Sequence, residues 1–525
     1  MKYFYTIMFL AVMIIVGIVS YQTNKVNLLP EDVIRNLERK GSNRFELEKA
    51  ITYFREKGDS LQLEALFFLI GNMEDHSYVT FALYDSTGEE IDFNVLNYPD
   101  YNTVIAALDS METETGELHF DREERFYDLK EISSEYLIEN VELAFKAWKT
   151  LPWASYLSYE DFCEYVLPYR GSNEPLESWR EHFFNRYQNL PGELSDPQDC
   201  IEVGSRINDD LKSWFTFDPL FYCHPTDLGL SEMKETHSGR CEDMTNLTIY
   251  AMRAVGLAVT SDYTPHWADA GGNHAWNAIL VKNGEVIPFM GCEANPGKYS
   301  LTNRFAKVYR KTYSKQKGNL VFILEDWEKA PPWLSGKYYR DVTRYYIDVV
   351  DVVVDLEKSV PDSTNYAYLS VFNSGEWKAI HWGKIEGDSV RFCEMGSNIV
   401  YLPMYYVHEE LEPAASPFIL DPKGEIRRLD GLSAIDSVTA RLISTTRKKI
   451  ADATVGRDVV FLESGEIYKL FFWEDEWVSV GEQKATDEPM LFHNIPANRL
   501  YWLIKEGSRK EERIFTLENG KQVWW

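Results

Sequence analysis

The sequence predicts an α+β protein with a helical N-terminal region, a mixed central region and C-terminal β-sandwich-type domains. Apolar residues recur at helical spacing before residue 150, and they alternate with period two after about residue 340. Turn signals separate the alternating segments at intervals of roughly 8–12 residues, as in β-sandwiches. A chain of 525 residues has room for several domains of about 150 residues each.

The first 20 residues are predicted to be a signal peptide or an N-terminal anchor. Lys2 precedes an uncharged, mostly apolar run from Tyr3 to Val19, and Ser20 supplies a small residue for cleavage. We therefore expect an exported protein that is periplasmic, on the cell surface or secreted. Contact with the membrane is expected only through this segment.

The composition argues against several classes of protein. Lys and Arg number 54 and Asp and Glu number 83, so the net charge is −29. Such a chain repels phosphate backbones, and no nucleic-acid partner is expected. Six cysteines do not make a dense disulfide framework. No cofactor is predicted.

Residues 30–150 are predicted to be mostly helical. Two sets of apolar residues lie at helical spacing: Leu63, Leu66, Phe67 and Ile70, then Leu137, Val141, Phe145 and Trp148. Residues 112–121 are mostly polar and are predicted to form a loop.

Cys241 is predicted to begin a helix in the central region. Gly239 permits a tight turn before it, apolar residues from Met244 to Ala254 mark one helical face, and Gly256 ends the helix. The unsatisfied N–H groups and the positive dipole end of a helix start stabilise a thiolate. Cys241 is therefore a candidate nucleophile, and its backbone N–H is a candidate oxyanion donor.

His274 is predicted to open a strand after this helix. Residues 259–263 read as an earlier strand, and Asn283-Gly284 is a hairpin signal that returns the chain into a strand over 286–289. A helix that starts with Cys and a strand that starts with His can bring a thiol and an imidazole together. That pair is the activated nucleophile of acyl transfer.

Two segments carry a family resemblance. Gly239-Arg240-Cys241-Glu242, followed by Gly272-Asn273-His274-Ala275-Trp276, resembles the transglutaminase-like superfamily of papain-type Cys-His-Asp enzymes. The resemblance covers about residues 200–300, and we place a transglutaminase-like core at 151–335. It implies an α+β core in which the Cys241 helix packs on an antiparallel sheet that bears His274.

The resemblance also implies an activity on amide bonds. The expected reaction is a cysteine hydrolase or acyltransferase reaction on peptides, peptidoglycan or glycopeptides, through a thioester. Two alternatives stay open: an inactive scaffold of this type that binds protein or glycan, and a transglutaminase that cross-links proteins.

Met290 stands where the family usually has the Asp that orients the imidazole. Glu293 is the predicted substitute, and Asn295 is the fallback because an amide oxygen accepts from an imidazole N–H. A dyad without a third residue is a further alternative. A two-residue turn at Asn283-Gly284, continued without a bulge, predicts that residues 290–293 lie alongside the His274 end of its strand.

Five further residues are candidates for the substrate cleft: His266, Trp267, His237, Tyr169 and Arg170. The first two precede the predicted base, and the third precedes the nucleophile by four positions. The last two follow a proline that breaks a predicted helix, where a loop can face a site. Packing within the core is the alternative for each of them.

Four side chains have chemistry suited to zinc: Cys223, His224, His237 and Cys241. The first two are adjacent, whereas structural zinc pairs usually have a spacer of about two to four residues. No metal site is therefore predicted. An exported protein permits a disulfide such as Cys200–Cys223, and Cys163 and Cys393 are predicted to be core residues.

Residues 336–435 and 436–525 are predicted to be two β domains. Five tryptophans are candidates for a sugar-stacking platform, with core packing as the alternative: Trp473, Trp477, Trp502, Trp524 and Trp525. Contact of these domains with a glycan is the corresponding expectation.

Overall fold

The computed structural model describes residues 29–39, 41–432, 437–447, 459–508 and 512–525. The predicted signal peptide or anchor lies outside these residues. Among the helices within them, none is long and apolar enough to cross a membrane. The described chain divides into two compact units. The first runs up to Ser261 and includes 275–300 and 311–315, and the second holds 262–274, 301–310 and 316 onward.

The first unit begins with the predicted helical region. Its helices are α1 Glu31–Glu38, α2 Arg44–Lys57, α3 Ser60–Asn72, α4 Tyr101–Thr115, α5 Asp128–Glu131 and α6 Ser134–Thr150. Asp59 caps α3 by accepting a hydrogen bond from the Gln62 N–H at 3.1 Å. The apolar residues that predicted α3 and α6 are mostly buried, including Leu63 and Val141. The helical prediction for this region is confirmed.

A three-stranded sheet interrupts these helices and was not predicted. Its strands are β1 Ser77–Tyr84, β2 Glu90–Ile91 and β3 His119–Tyr127, in the order β2-β1-β3. The predicted loop at 112–121 instead contains the end of α4 and the start of β3. Most β3 side chains are exposed, so the burial alternation that identifies a strand in a sequence is weak here.

The rest of the first unit contains the motif residues. Its helices are α7 Tyr159–Tyr165, α8 Arg180–Tyr187, α9 Cys200–Lys212, α10 Leu230–Thr236 and α11 Cys241–Ala254. Its strands are β4 Thr216–Phe217, β5 Ser238–Gly239 and β8 Val286–Phe289, together with the first half of β6 Val259–Thr264 and all but the first residue of β7 His274–Leu280. Helix α11 begins at Cys241 as predicted, and Gly256 follows it with φ +76°. Every α11 side chain from Asp243 onward is buried.

The β7–β8 hairpin forms as predicted, but its register differs by one residue. The Val281 N–H donates to the Glu285 carbonyl, and Leu280 pairs with Val286, so the loop has three residues rather than two. Gly284 closes the loop with φ +81°, the usual device of three-residue hairpin loops. β8 ends at Phe289, and the sheet ladder does not continue to residue 293.

The second unit is mainly β-sheet, as predicted for the C-terminal half. The end of β6 pairs with β9 Tyr309–Lys311 through Asp262 and Arg310, and β10 Tyr339–Asp341 follows. One sheet contains β11 Val350–Asp355, β12 Tyr366–Asn373, β13 Glu376–Glu386, β14 Ser389–Met395, β15 Ile399–Val407, β16 Glu410–Pro413, β17 Phe418–Leu420 and β18 Ile426–Arg428. Its order is β11-β14-β13-β12-β15-β17-β18, with β16 paired to β15.

A further sheet of the second unit contains β19 Ser437–Leu442, β20 Ile467–Glu474, β21 Glu476–Lys484, β22 Met490–Pro496, β23 Tyr501–Lys505, β24 Ile514–Glu518 and β25 Lys521–Trp524. The strand order is β21-β20-β23-β24-β25-β19-β22. Each of the two large sheets buries its own apolar cluster, around Leu369 and Leu470 respectively. The α+β class with C-terminal sheet domains is therefore confirmed.

The tryptophans predicted as a sugar platform are not on the open surface. Trp473 is buried, and the other four are half-buried. Trp377, Trp473, Trp477 and Trp502, here called the tryptophan cluster, belong to or pack against one apolar core. The Trp473 and Trp477 rings meet edge to face at 5.1 Å. Trp473 therefore packs in the core, as the alternative predicted, whereas the half-buried rings keep part of their surface exposed and their contact with a glycan stays a prediction.

Candidate active site

The chain enters α11 through a turn that only glycine fits. A Cβ added at Gly239 would lie 2.7 Å from the Asp243 Cβ, closer than real Cβ contacts. β5 ends at Gly239, and Cys241 is the first residue of the helix. Asp243 accepts a hydrogen bond from the Arg240 N–H at 2.9 Å and so closes the helix start. These contacts fix the position of the Cys241 backbone.

Strand β7 runs alongside α11 and reaches its first residue. The Asn277 Nδ2 donates to the Thr245 carbonyl at 3.1 Å, and the Ala275 N–H faces the Cys241 thiol and lowers its pKa. Four helical residues rise about 6 Å and two strand residues about 6.6 Å, so the two contacts keep helix and strand in step. The amide nitrogen that reaches the sulfur belongs to the peptide bond between His274 and Ala275.

The surroundings of Cys241 favour the neutral thiol. Burial and, as a smaller contribution, the Glu242 carboxylate raise the pKa of Cys241 to about 11. The Ala275 N–H and the Arg240 guanidinium lower the pKa, but they do not offset the burial. The helix start by itself was expected to stabilise a thiolate, but burial of the sulfur outweighs that effect and favours the neutral thiol.

A network of charged groups lies behind the thiol: Asp227, Arg240, Glu242, Asp243 and Lys311, here called the charged network. Arg240 donates to Asp227 at 2.7 Å, and Lys311 pairs with Glu242. Burial opposes the charge of Asp227, but Arg240 and Lys311 outweigh it and hold its pKa below the usual value. Burial raises the pKa of Asp243 to about 7. Such displaced carboxyl groups are characteristic of functional sites.

Two tyrosines near Cys241 were not found from the sequence. Burial raises the pKa of Tyr299, and the charges of Glu293 and Cys241 add to this effect. Partial burial also raises the pKa of Tyr222, with the largest charge contribution from Cys241. Tyr222 lies 19 positions before Cys241 and Tyr299 lies 58 after it, and the sequence carries no motif that links either residue to the thiol.

The loop before His274 is ordered within the second unit. The Trp267 ring stacks on the His274 ring, with centroids 5.9 Å apart. Asn373 Nδ2 donates to the carbonyls of Trp267, Ala270 and Gly272 at 2.9–3.0 Å. Trp267 is therefore a neighbour of the predicted base. His266 is buried and meets Trp333 edge to face, and burial lowers its pKa to about 4.

The segment expected to orient the imidazole forms a tight turn. The Met290 N–H donates to the Ala294 carbonyl at 3.0 Å, and the Ala294 N–H returns to Met290 at 2.8 Å. Met290 is buried, whereas Glu293 on the turn is exposed. The Asn295 oxygen accepts from Asn208 at 2.9 Å and from Lys212 at 3.1 Å. This oxygen is engaged with α9, which weighs against the fallback role of Asn295.

Tyr169 and Arg170 do not line a cleft, contrary to their prediction. Both are buried. Arg170 Nε donates to Asp128 at 2.6 Å, and Tyr169 OH donates to the same carboxylate at 2.9 Å. The proline that precedes them turns the chain into the core, where the buried Asp128 compensates the guanidinium charge.

His237 is exposed in the left-handed conformation and meets Trp214 edge to face at 6.0 Å.

The remaining cysteines and the zinc candidates are engaged elsewhere or free. All six cysteines are free thiols, so Cys200 and Cys223 are not bridged. Cys163 is buried as predicted, whereas Cys393 is exposed, because alternate residues of β14 face outward. Both ring nitrogens of His224 lie within hydrogen-bond distance of oxygens, Thr226 O at 2.9 Å and Glu232 at 3.2 Å.

The family comparison agrees with this geometry. Residues 188–289 match the family model of the transglutaminase-like superfamily, a range that includes both Cys241 and His274. The chain therefore contains a transglutaminase-like domain. Comparison with curated proteins found no match.

Proposed function

We propose that this protein is a cysteine hydrolase or acyltransferase that acts on amide bonds, with Cys241 as nucleophile and His274 as general base and acid. One observation carries the proposal: Cys241 begins α11, and the Asn277–Thr245 hydrogen bond holds the strand that opens with His274 against that helix. The family match over both residues supports it. The substrates we propose are peptides, peptidoglycan or glycopeptides.

The reaction proceeds through a thioester. His274 takes the thiol proton of Cys241, and the sulfur attacks the amide carbonyl carbon. The Cys241 N–H is one of the helix-start amides without an intrahelical acceptor, and it donates to the oxyanion. The C–N bond breaks, and His274 returns its proton to the leaving amine. Water then cleaves the thioester, and hydrolysis releases a carboxylic acid and the free thiol.

The raised pKa of Cys241 makes the role of His274 testable. A thiol with a pKa of about 11 is ionised to roughly one part in ten thousand at pH 7. An imidazolium partner lowers that pKa, so Cys241 of the wild type should alkylate rapidly at neutral pH. His274→Ala should alkylate about a thousandfold more slowly at pH 7 and accelerate up to about pH 11.

Iodoacetamide labelling with peptide mapping measures these rates from pH 5 to pH 11. Cys393 is exposed and serves as an internal control in each sample. Hydrolysis of a peptide amide should be lost in Cys241→Ala. Wild-type Cys241 labelling that rises tenfold per pH unit up to about pH 11 would overturn the dyad.

We propose Glu293 as the positioning residue for His274. Its support is that Glu293 is an exposed carboxylate on the turn that follows β8, and β8 is the hairpin partner of the strand that begins with His274. Glu293→Gln should lower kcat/KM about tenfold or more and shift the pH at which Cys241 begins to alkylate, because an oriented carboxylate stabilises the imidazolium. Met290→Leu is the matched control and should leave both unchanged. Equal effects of the two substitutions would contradict this role.

The wild type and the Cys241→Ala variant also test two alternative functions. The raised pKa of Cys241 and the presence of Met290 favour an inactive binding scaffold, in which case Cys241→Ala would bind and act as the wild type does. Incorporation of a labelled amine into a glutamine-bearing protein would instead indicate a cross-linking transglutaminase.

We also propose that the protein is exported, because an uncharged, mostly apolar segment precedes residue 20.

A further inference from the structure

An exposed apolar surface lies beside the start of α11. It comprises Leu96, Phe217 and Tyr222, here called the apolar shelf, whose exposed fractions are 44%, 39% and 58%. Phe217 pairs with Gly239 across β4 and β5, two residues before Cys241. The Phe217 and Tyr222 rings meet edge to face at 5.8 Å. Large apolar side chains are rarely left exposed together without a binding role.

The segment that interrupts the N-terminal helices contacts the same place. Leu96 lies on the short helical turn Val95–Asn97, which packs against the turn Pro219–Cys223 that carries Tyr222. Helix α4 packs against that turn as well. The turn Val95–Asn97 and helix α4 therefore both contact the turn that carries Tyr222.

This segment is strongly acidic. From Asp85 to Glu124 the sequence has twelve Asp or Glu residues, and Arg122 is the only Lys or Arg. Many of these side chains are exposed. A surface with one sign of charge attracts ligands of the opposite sign over about a Debye length, roughly 10 Å at 0.1 M salt.

We propose that the apolar shelf binds a bulky apolar side chain next to the scissile amide of a polypeptide substrate, and that residues 85–124 select for Lys or Arg farther along that polypeptide. The occupant follows from two observations: Phe217 pairs with Gly239, two residues before Cys241, and the segment that packs against the turn bearing Tyr222 is acidic. The inference rests on the proposed function, because it names the substrate of the same site.

Four peptide amides test the proposal. They carry Phe or Ala next to the scissile bond, combined with two Lys or two Glu residues farther along. The wild type should prefer Phe over Ala roughly tenfold or more in kcat/KM, as apolar subsites do. The double variant Phe217→Ala, Tyr222→Ala should lose this preference. Phe45→Ala removes an aromatic side chain that is 73% exposed on α2 and is the matched control.

The charge preference has its own readout. The ratio of kcat/KM for the Lys peptide over the Glu peptide should fall severalfold between about 0.05 and 0.5 M salt. Asp92→Asn combined with Glu114→Gln and Glu117→Gln should lower the same ratio. Glu482→Gln combined with Asp487→Asn and Glu488→Gln removes the same charge from exposed positions of the second unit and should not.

Binding separates this inference from the proposed function. Fluorescence anisotropy of the Phe–Lys peptide with Cys241→Ala measures recognition without turnover. Peptide binding that weakens in the Phe217→Ala, Tyr222→Ala background supports the shelf even if the wild type proves inactive. An active enzyme with unchanged side-chain preference in that background overturns the shelf. So does a concentration-dependent dimer that the double variant abolishes without effect on peptide binding.

Discussion

Around Cys241 the first unit keeps charged side chains in its interior, whereas the tryptophan cluster of the second unit is built from aromatic rings. Asp243 is 1% exposed and carries a displaced pKa. Buried charges cost desolvation energy, and their partners must repay it. Aromatic rings that pack edge to face carry no such cost, and they contribute both buried apolar area and favourable ring contacts. The comparison indicates that pKa values are shifted mainly around Cys241, whereas the tryptophan cluster contributes mainly to the stability of the fold.

The largest stability effect is expected in the tryptophan cluster. Trp473 is 6% exposed and contacts both Trp377 and Trp477. Trp473→Ala should lower the free energy of unfolding by about 3–5 kcal/mol, because it removes a large buried side chain and leaves a cavity. Denaturant unfolding with hydrogen exchange localised to β20 and β21 measures the loss. Trp327→Ala, at a site 63% exposed, should cost far less, and equal losses would remove the basis of the comparison.

The next effect is a pH dependence at Asp243. Its pKa of about 7 in the folded protein exceeds that of a free Asp, about 3.9, so the folded state holds the proton more tightly. The contribution of Asp243 to the free energy of unfolding therefore falls as pH rises from about 4 to 7, by up to about 4 kcal/mol. The difference in stability between the wild type and Asp243→Asn should show this fall.

Urea unfolding at several pH values measures that difference. Asp326→Asn, at an exposed position, is the matched control and should track the wild type. A difference that stays constant between about pH 5 and pH 7 would contradict this prediction, because it would show that Asp243 is ionised in both the folded and the unfolded state over that range.

The smallest effect concerns Glu242 and the thiol. Glu242 raises the pKa of Cys241, so Glu242→Gln should lower that pKa and speed alkylation at pH 7, by up to about tenfold for one pKa unit. Glu202→Gln on α9 is the control for loss of an acidic side chain. Unchanged or slower alkylation in Glu242→Gln would contradict the role of Glu242 in raising the pKa of Cys241.

The sequence predicted α11 and its hairpin well because glycines mark their ends. Gly239 and Gly256 bracket the helix, and Asn283-Gly284 locates the loop. The one-residue error in register arose because a two-residue and a three-residue loop share the same glycine signal. In the C-terminal β segments, the alternating pattern predicted which residues share a face of a strand. It did not predict which faces are covered by other side chains, so the buried Trp473 was proposed as part of an exposed sugar-binding platform.

The parts of the site that escaped prediction depend on tertiary contacts. Tyr222 and Tyr299 lie far from the motifs along the chain, and only folding brings them to Cys241. Arg170 was assigned to a loop facing the cleft, but its charge is compensated by Asp128, 42 positions earlier in the chain. Pairings at such separation leave no periodicity in a single sequence.

The turn after β8 limits what a substitution at position 290 can achieve. A Cβ at Gly291 would lie 2.1 Å from Thr248 Oγ1 and 2.5 Å from Asn277 Oδ1, so the turn is locked against α11 and β7. Met290 is buried, with its N–H and carbonyl both bonded to Ala294. An aspartate at position 290 would therefore place a carboxylate in a buried turn whose backbone has little room to shift.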